Sequence, residues 1–450
     1  MGAILYSVFF GANVFVLKTV NSVVTEPYMD EPFHVPQAQA YCRGEWDVWD
    51  PKLTTPPGLY VLSIVLNRLF MFKCTLSMLR LTPVLASLFL PALITYVLAT
   101  NRRERARNVW TSPSFEAISL AAFPVAYFFN FLYYTEVPSL ALVLACVAAA
   151  ARGQHFLASM LGAASCTFRQ TNIVWVLYAY AANRLANLRF RRDLKTKLHD
   201  PPALETRPSD IPKTLQSMLG VIPALLETAL PYAAVVAAFV AFVVWNGGIV
   251  LGDKSNHIPT MHIPQLYYFF AFSTLFGWPV LISGPGGPLK LLADIGSRMF
   301  GSPSRAVVSA TVTTAIAVTD STSFLLSDNR HYTFYVWRRV FMAHWTVPYL
   351  LSPVYLACMW AWFLRIAHDR TILQTLLLPL AALPTLLPTP LLEPRYFLIP
   401  YMLLRTQVVE MPDWAVGLEA AWHVAIDAGM LNVFLFNERW GPDGVIRFMW

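Results

Sequence analysis

Apolar runs of the length needed to cross a hydrocarbon bilayer, about 20 residues each, recur from one end of this 450-residue chain to the other. They fall at 3–20, 57–73, 78–99, 117–134, 137–151, 156–181, 219–245, 264–283, 306–326, 340–363, 373–391 and 397–410, with a weaker stretch at 414–436. Hydrocarbon offers the backbone no hydrogen-bond partner, so each run must satisfy its own amides; alternating strand patterns are absent, which leaves helices. Hydrophobic residues at 56% and charged ones at 13% depart in the same direction from the roughly 45–50% and 25% of soluble domains. The expectation is an all-α polytopic membrane protein, a single integral domain over residues 1–450 with about 12–14 transmembrane helices. Many of the 33 prolines lie inside or at the ends of these runs, which predicts kinked and broken helices. The first run lacks a basic n-region and a small-residue cleavage site, so it reads as an uncleaved first helix.

Charge sets the orientation. The polar interruption at 182–218 carries Arg184, Arg189, Arg191, Arg192, Lys195, Lys197, Arg207 and Lys213 against four acids, and the positive-inside rule places such a loop in the cytosol. Counting helices backwards and forwards from it puts residues 21–56, 252–262, 327–339 and 391–397 on the opposite, lumenal side. Lys290, Arg298, Arg305, Arg365 and Arg370 return to the cytosol on the same count, whereas Arg102, Arg103, Arg105 and Arg107 go against the rule and land in the lumen. The net charge of +7 is what cytosolic anchoring residues supply and implies no nucleic acid.

The lumenal strip at 21–56 is where chemistry is expected. Glu26, Asp30, Glu31, Glu45, Asp47 and Asp50 fall within 25 positions, in a chain with only 26 acids in all. Asp30 and Glu31 follow the first helix closely, at a membrane face where a carboxylate can be partly desolvated and its basicity raised; a solvated interfacial turn has the same residue content. His34 lies at helical spacing from Asp30, so both can face one groove, and His34, Gln37 and Gln39 suit polyol hydroxyls. Elsewhere, GDKSNH groups Asp253, Lys254, Asn256 and His257, where a cation can hold a phosphate as a point charge or Gly and Asn can merely shape a turn. SDNRHYTFYVWRR sets Asp328, Asn329, Arg330 and His331 before a run of aromatics; Arg330 can clamp phosphate bidentately. TFRQTN places Arg169, Gln170 and Asn172 inside an apolar run, by default a functional or paired site. Glu393 with Arg395, and Glu136 near a helix end, read equally well as plain ion pairs.

What is missing narrows the chemistry. There is no GxxxxGK[ST] loop, no GxGxxG after a strand, no HExxH and no GxSxG, which removes support for nucleotide hydrolysis, dinucleotide binding and serine or zinc hydrolysis. DxD, the metal-holding pair of soluble sugar-nucleotide transferases, is absent too. Acids without a metal box suggest a lipid-phosphate sugar donor and no metal cofactor. Cys42, Cys74, Cys146, Cys166 and Cys358 show no CxxC or Cys/His metal spacing, so they read as packing residues, with no disulfide expected.

MDEPFHVPQAQAYC, WDPKLTTPPGLY, FFNFLYYTE, FRQTNIVW, GDKSNH with HIPQLYYFF, SDNRHYTFYVWRR, EPRYFLIPY and the terminal RFMW together resemble, in order and over nearly the full chain, the family of dolichyl-phosphate-glucose-dependent α-1,2-glucosyltransferases of the N-glycan precursor pathway. The resemblance implies a GT-C glycosyltransferase fold, an endoplasmic reticulum membrane location with the active site facing the lumen, and transfer of glucose from dolichyl-phosphate-glucose to a diglucosylated dolichyl-diphosphate oligosaccharide. A β-linked donor and an α-linked product imply inversion in one displacement. Phosphate leaves without a general acid, so one base suffices, unlike the two carboxylates of most glycosidases; the resemblance carries that role to Asp30, with Glu31 as the second candidate. Substrate contact is expected of His34, Gln37, Asp50, Arg169, Gln170, Asp253, Lys254, His257, Asp328, Asn329, Arg330, His331, Glu393 and Arg395. The rival reading is a polytopic transporter or lipid flippase, for which broken helices and intramembrane charge are natural; it usually shows inverted halves, and no internal repeat is visible here.

Overall fold

The computed structural model of the chain describes residues 2–106, 108–189, 191, 197–254, 261–320, 330–389, 391–441 and 444–450. Helices dominate, and the described strands are a short antiparallel hairpin pairing Arg439 with Ile446 and Trp440 with Val445. Four helices or near-continuous helix runs are long and apolar enough to span a bilayer among the described residues: Gly2–Val23, Leu76–Arg102, Pro264–Ile282 and Val347–Ala367. Asp210–Leu226 with Leu230–Asn246 makes a fifth if that broken pair is one span. The exposed faces are greasy: Ile4, Phe15, Leu69, Leu230, Val244 and Trp245 all stand clear of the protein, an apolar surface that only lipid makes stable. Fold class therefore follows the hydropathy.

Several runs that look continuous in the sequence are realised as pairs of shorter helices. The run at 117–134 becomes Phe115–Ala121 and Pro124–Phe129; Pro124 opens the second, where its missing N–H costs nothing. The run at 156–181 becomes His155–Cys166 and Asn172–Leu188, so TFRQT lies at a break and not in a helix interior. The run at 340–363 shifts to Tyr332–Arg339 and Val347–Ala367, and the weak stretch at 414–436 is a 24-residue helix, Asp413–Phe436. Hydropathy registers greasiness, not the polar pairing that breaks a helix.

The chain divides into two compact units, Met1–Lys195 with Val221–Ile258, and Thr196–Gly220 with Pro259–Trp450. In the first, Val35, Ala38, Tyr41, Leu53, Leu59, Tyr60, Ile64, Leu79, Tyr133 and Phe168 pack as one buried cluster. This cluster is the floor beneath the acidic strip. In the second, the buried guanidinium of Arg405 is bound to both oxygens of the equally buried Glu419 at 2.8 Å, and the Phe276 ring lies tilted beside His423, 6.4 Å between centroids, where the helices Pro264–Ile282 and Asp413–Phe436 meet.

One expectation about cysteine is overturned. Cys42, at the end of the helix Glu31–Cys42, and Cys74, in the loop after Gly58–Phe70, form a disulfide. The two positions are 32 residues apart, a separation that carries no motif; the pairing is created by folding. Cys146, Cys166 and Cys358 remain thiols, packed as expected.

Candidate active site

The strip folds into a helix, Glu31–Cys42, for local reasons. Pro32 sits in its first turn, where no N–H is needed, Glu31 adds negative charge at the positive end of the helix dipole, and Gly44 at φ 87° ends it. Just before it, Met29 is held at φ 60°, a left-handed conformation costing a side-chain-bearing residue roughly 1–2 kcal/mol. That backbone turn is fixed on both sides. The Tyr28 N–H donates to Glu31 Oε2 at 3.0 Å, and the Asp30 N–H donates to the Tyr134 hydroxyl at 3.0 Å.

The two neighbouring acids live in different surroundings. Glu31 has no exposed surface. Arg80 grips it bidentately, Nε to Oε1 at 2.8 Å and Nη2 to Oε2 at 2.6 Å, and the Tyr133 N–H donates to Oε1 at 2.7 Å. With the Tyr28 amide, four donors occupy its oxygens, leaving it committed to the fold. Asp30 is only half-buried, and its carbonyl receives the N–H groups of Phe33 and His34 at 3.0 and 3.1 Å. His34, on the next turn as its spacing predicts, meets the Tyr60 hydroxyl through Nδ1 at 2.7 Å and lies beside the Tyr134 ring, 6.0 Å between centroids.

Most of the polar motifs of the first unit converge on the second half of the strip. Gln37 donates through Nε2 to the Val48 carbonyl at 2.7 Å and accepts the Asp50 N–H at 2.9 Å, so both ends of its amide hold main chain. Asp50 Oδ1 caps its own turn by accepting from the Lys52 N–H at 2.9 Å. Gln39 donates to the Cys74 carbonyl at 3.1 Å, beside the disulfide. Gln170 donates to the Thr54 carbonyl at 2.7 Å, and the Asp253 N–H to the Pro51 carbonyl at 2.7 Å. Two glycines make the approaches possible. A side chain on Gly58 would strike Thr167, and one on Gly252, at φ 62°, would strike the Pro51 and Leu53 carbonyls.

Arg169 pairs with Glu136 at 2.5 Å, which supplies the partner expected for both. Lys254 is exposed and donates to the Asn246 carbonyl, and Lys52, exposed on the strip itself, lies 5.0 Å over the Phe33 ring. Among the described residues no three His, Cys, Asp or Glu side chains are grouped for metal ligation. His257, Asp328 and Asn329 lie outside the described residues, as does Asn256.

The remaining candidates belong to the second unit. The Met449 N–H donates to the Arg330 carbonyl at 3.0 Å, the Tyr332 N–H to the Met449 carbonyl at 2.9 Å, and His331 Nδ1 meets the Trp450 carbonyl at 2.6 Å. The DNRHY and RFMW motifs are thus joined by main-chain bonds. Glu393 and Arg395 form an ion pair, with Glu393 buried.

Arg80 escaped sequence reasoning, although a cation in an apolar run is the signal that singled out Arg169. Tyr60, Tyr133 and Tyr134 escaped it because an aromatic at a membrane face is ordinary.

Comparison with known sequences identifies the family. The profile of the DIE2/ALG10 family matches residues 24–406, from the turn before Asp30 to the helix Leu398–Thr406. The chain is 33% identical to a human protein over 98% of its own length and 97% of the relative's. It is 32% identical to one from Arabidopsis thaliana over 96% of each chain, and 35% identical to one from Drosophila melanogaster over 91% and 90%. Each of these relatives bears the name Dol-P-Glc:Glc(2)Man(9)GlcNAc(2)-PP-Dol alpha-1,2-glucosyltransferase. With the profile matching residues 24–406 and the relatives covered over nearly their full length, the chain belongs to the DIE2/ALG10 family.

Proposed function

We propose that this chain transfers glucose from dolichyl-phosphate-glucose, in α-1,2 linkage, to the diglucosylated oligosaccharide Glc2Man9GlcNAc2-PP-dolichol, adding its third, terminal glucose. The support is the near-full-length similarity to relatives of that name. The geometric observation that carries the mechanism is the unequal environment of two adjacent acids: Glu31 is saturated by Arg80 and two amides, while Asp30 stands at the half-buried edge.

In this reading Asp30 takes the proton of the acceptor 2-hydroxyl as that oxygen attacks the anomeric carbon. The bond from that carbon to the phosphate oxygen breaks in the same step, and inversion converts a β-linked donor to an α-linked product. The phosphate departs as an anion and needs a cation beside it, not a proton. Lys254 suits that role within the first unit, as does Lys52; Arg169, held by Glu136, is less suited.

No divalent metal is required in this scheme, because charge-assisted hydrogen bonds of about 1.5–3 kcal/mol each stabilise a leaving monophosphate. Excess EDTA is expected to leave the transfer rate unchanged. A loss reversed by Mg²⁺ or Mn²⁺ contradicts it.

In this reading the catalytic face lies in the lumen of the endoplasmic reticulum. Two independent features support this: the basic segment between the helices Asn172–Leu188 and Asp210–Leu226 reads as cytosolic, and the Cys42–Cys74 disulfide belongs in an oxidising compartment. In sealed microsomes, a cysteine engineered at Lys197 should react with an impermeant maleimide, while Cys42 and Cys74 react only after permeabilisation and reduction. The reverse pattern refutes the orientation.

A further inference from the structure

In the second unit, the helix Gly287–Phe300 has three unlike sides. Ile295 and Met299 are buried, whereas Leu289, Leu292 and Phe300 form an exposed apolar stripe. Helical spacing sets Lys290, Asp294 and Arg298 on the remaining, polar side. A helix with a free apolar stripe beside a mainly cationic face is built to lie in the headgroup region of a bilayer.

The chain then turns at Gly301 and Ser302 into the helix Pro303–Asp320, and there a cleft of about 340 Å³ opens, within the roughly 300–1,000 Å³ of ligand sites. Val308 and Val312 form one wall, and Leu356, Met359 and Trp360 of the helix Val347–Ala367 form the other. Arg298 and Arg305, on either side of the turn, also line it. Every one of these residues belongs to the same compact unit.

The two arginines carry charge to spare. Arg298 Nη2 donates to the Leu204 carbonyl at 3.3 Å, and Arg305 Nη1 to the Ser297 carbonyl at 3.1 Å. Among the described residues neither guanidinium has a carboxylate partner. Paired guanidiniums match the oxygens of a phosphate.

The occupant follows from the combination. A free phosphate accounts for the cations but not for the apolar walls, and a fatty chain alone accounts for the walls but not for the cations. A zwitterionic lipid brings its own cation, which the two arginines oppose. The charge count that sets Arg298 and Arg305 at the cytosolic face also sets them at the leaflet where anionic lipids are found.

We propose that this cleft binds an anionic phospholipid, its phosphate on Arg298 and Arg305 and an acyl chain between Val308, Val312 and Trp360. The site shares no residue with the acidic strip at 21–56.

The test uses the full chain, purified in neutral detergent and mixed with phosphatidylinositol, phosphatidylcholine or inorganic phosphate. Native mass spectrometry counts retained lipid, and melting temperature is recorded alongside. Phosphatidylinositol should be retained and raise the melting temperature, with phosphatidylcholine held about tenfold less. Arg298→Gln combined with Arg305→Gln should weaken phosphatidylinositol binding about tenfold or more. Val308→Trp, at an exposed position of the wall, should fill the cleft and do the same. Equal retention of the two lipids overturns the proposal, as does undiminished phosphatidylinositol binding in the double variant. Inorganic phosphate that matches phosphatidylinositol in raising the melting temperature also overturns it, by marking a site for a soluble anion. If the double variant melts early without lipid, Val308→Trp decides: lost phosphatidylinositol binding supports the site, and undiminished binding overturns it.

Discussion

Asp30→Asn is expected to abolish glucose transfer while both lipid substrates still bind. An amide is nearly isosteric with a carboxylate and keeps a hydrogen bond, but it cannot accept the proton of the attacking hydroxyl. Loss of a general base typically costs about 10² to 10⁴ in rate. Main-chain bonds help to place residue 30, its N–H on the Tyr134 hydroxyl and its carbonyl under Phe33 and His34, and the substitution keeps them. Single-turnover rates with saturating donor and acceptor measure the effect. Near-normal turnover in Asp30→Asn, with collapse in a Glu31→Gln protein of wild-type stability, would move the base by one residue. Near-normal turnover in both would take the strip out of the chemical step and turn the search to Asp253.

Arg80→Met should damage the fold, not the chemistry alone. It strands the Glu31 carboxylate, fully buried, with its guanidinium partner gone, and breaking a buried pair from one side costs about 3–5 kcal/mol. Arg80 also holds the chain just past the first helix through the Val24 carbonyl at 2.7 Å, so its loss loosens the Met29–Asp30 turn as well. Melting in detergent should fall sharply for Arg80→Met. The double variant with Glu31→Gln should recover part of the loss, because it removes the orphaned charge. An Arg80→Met protein that melts with wild type would show that this pair does not hold the site.

The membrane class was legible from the sequence because it rests on composition over many residues. Helical spacing between Asp30 and His34 was legible too, and the structure keeps it with the His34 N–H on the Asp30 carbonyl. The unequal surroundings of Asp30 and Glu31 were not, since they depend on Arg80, 49 residues away from Glu31. Gln37 illustrates the same point from the other side: its residue type does not announce that its amide holds main chain at Val48 and Asp50. The break at 167–171 was hidden for a different reason. Phe168 and the flanking helices keep that stretch apolar on average, while the turn is made by hydrogen bonds such as Thr167 Oγ1 to the Ala164 carbonyl and the Gly58 N–H to the Thr167 carbonyl. The disulfide was hidden because neither Cys42 nor Cys74 has a neighbour in sequence that hints at the other.

The most direct test of the account is a two-substrate reaction with the purified chain in lipid, supplied with dolichyl-phosphate-glucose and diglucosylated acceptor and read by mass and linkage analysis of the released glycan. The account predicts a gain of one hexose, α-1,2-linked to the terminal glucose, with dolichyl phosphate formed in equal amount and both products missing in Asp30→Asn. An acceptor of unchanged mass, accompanied by movement of either lipid from one leaflet to the other, would contradict it and identify the chain as a transporter.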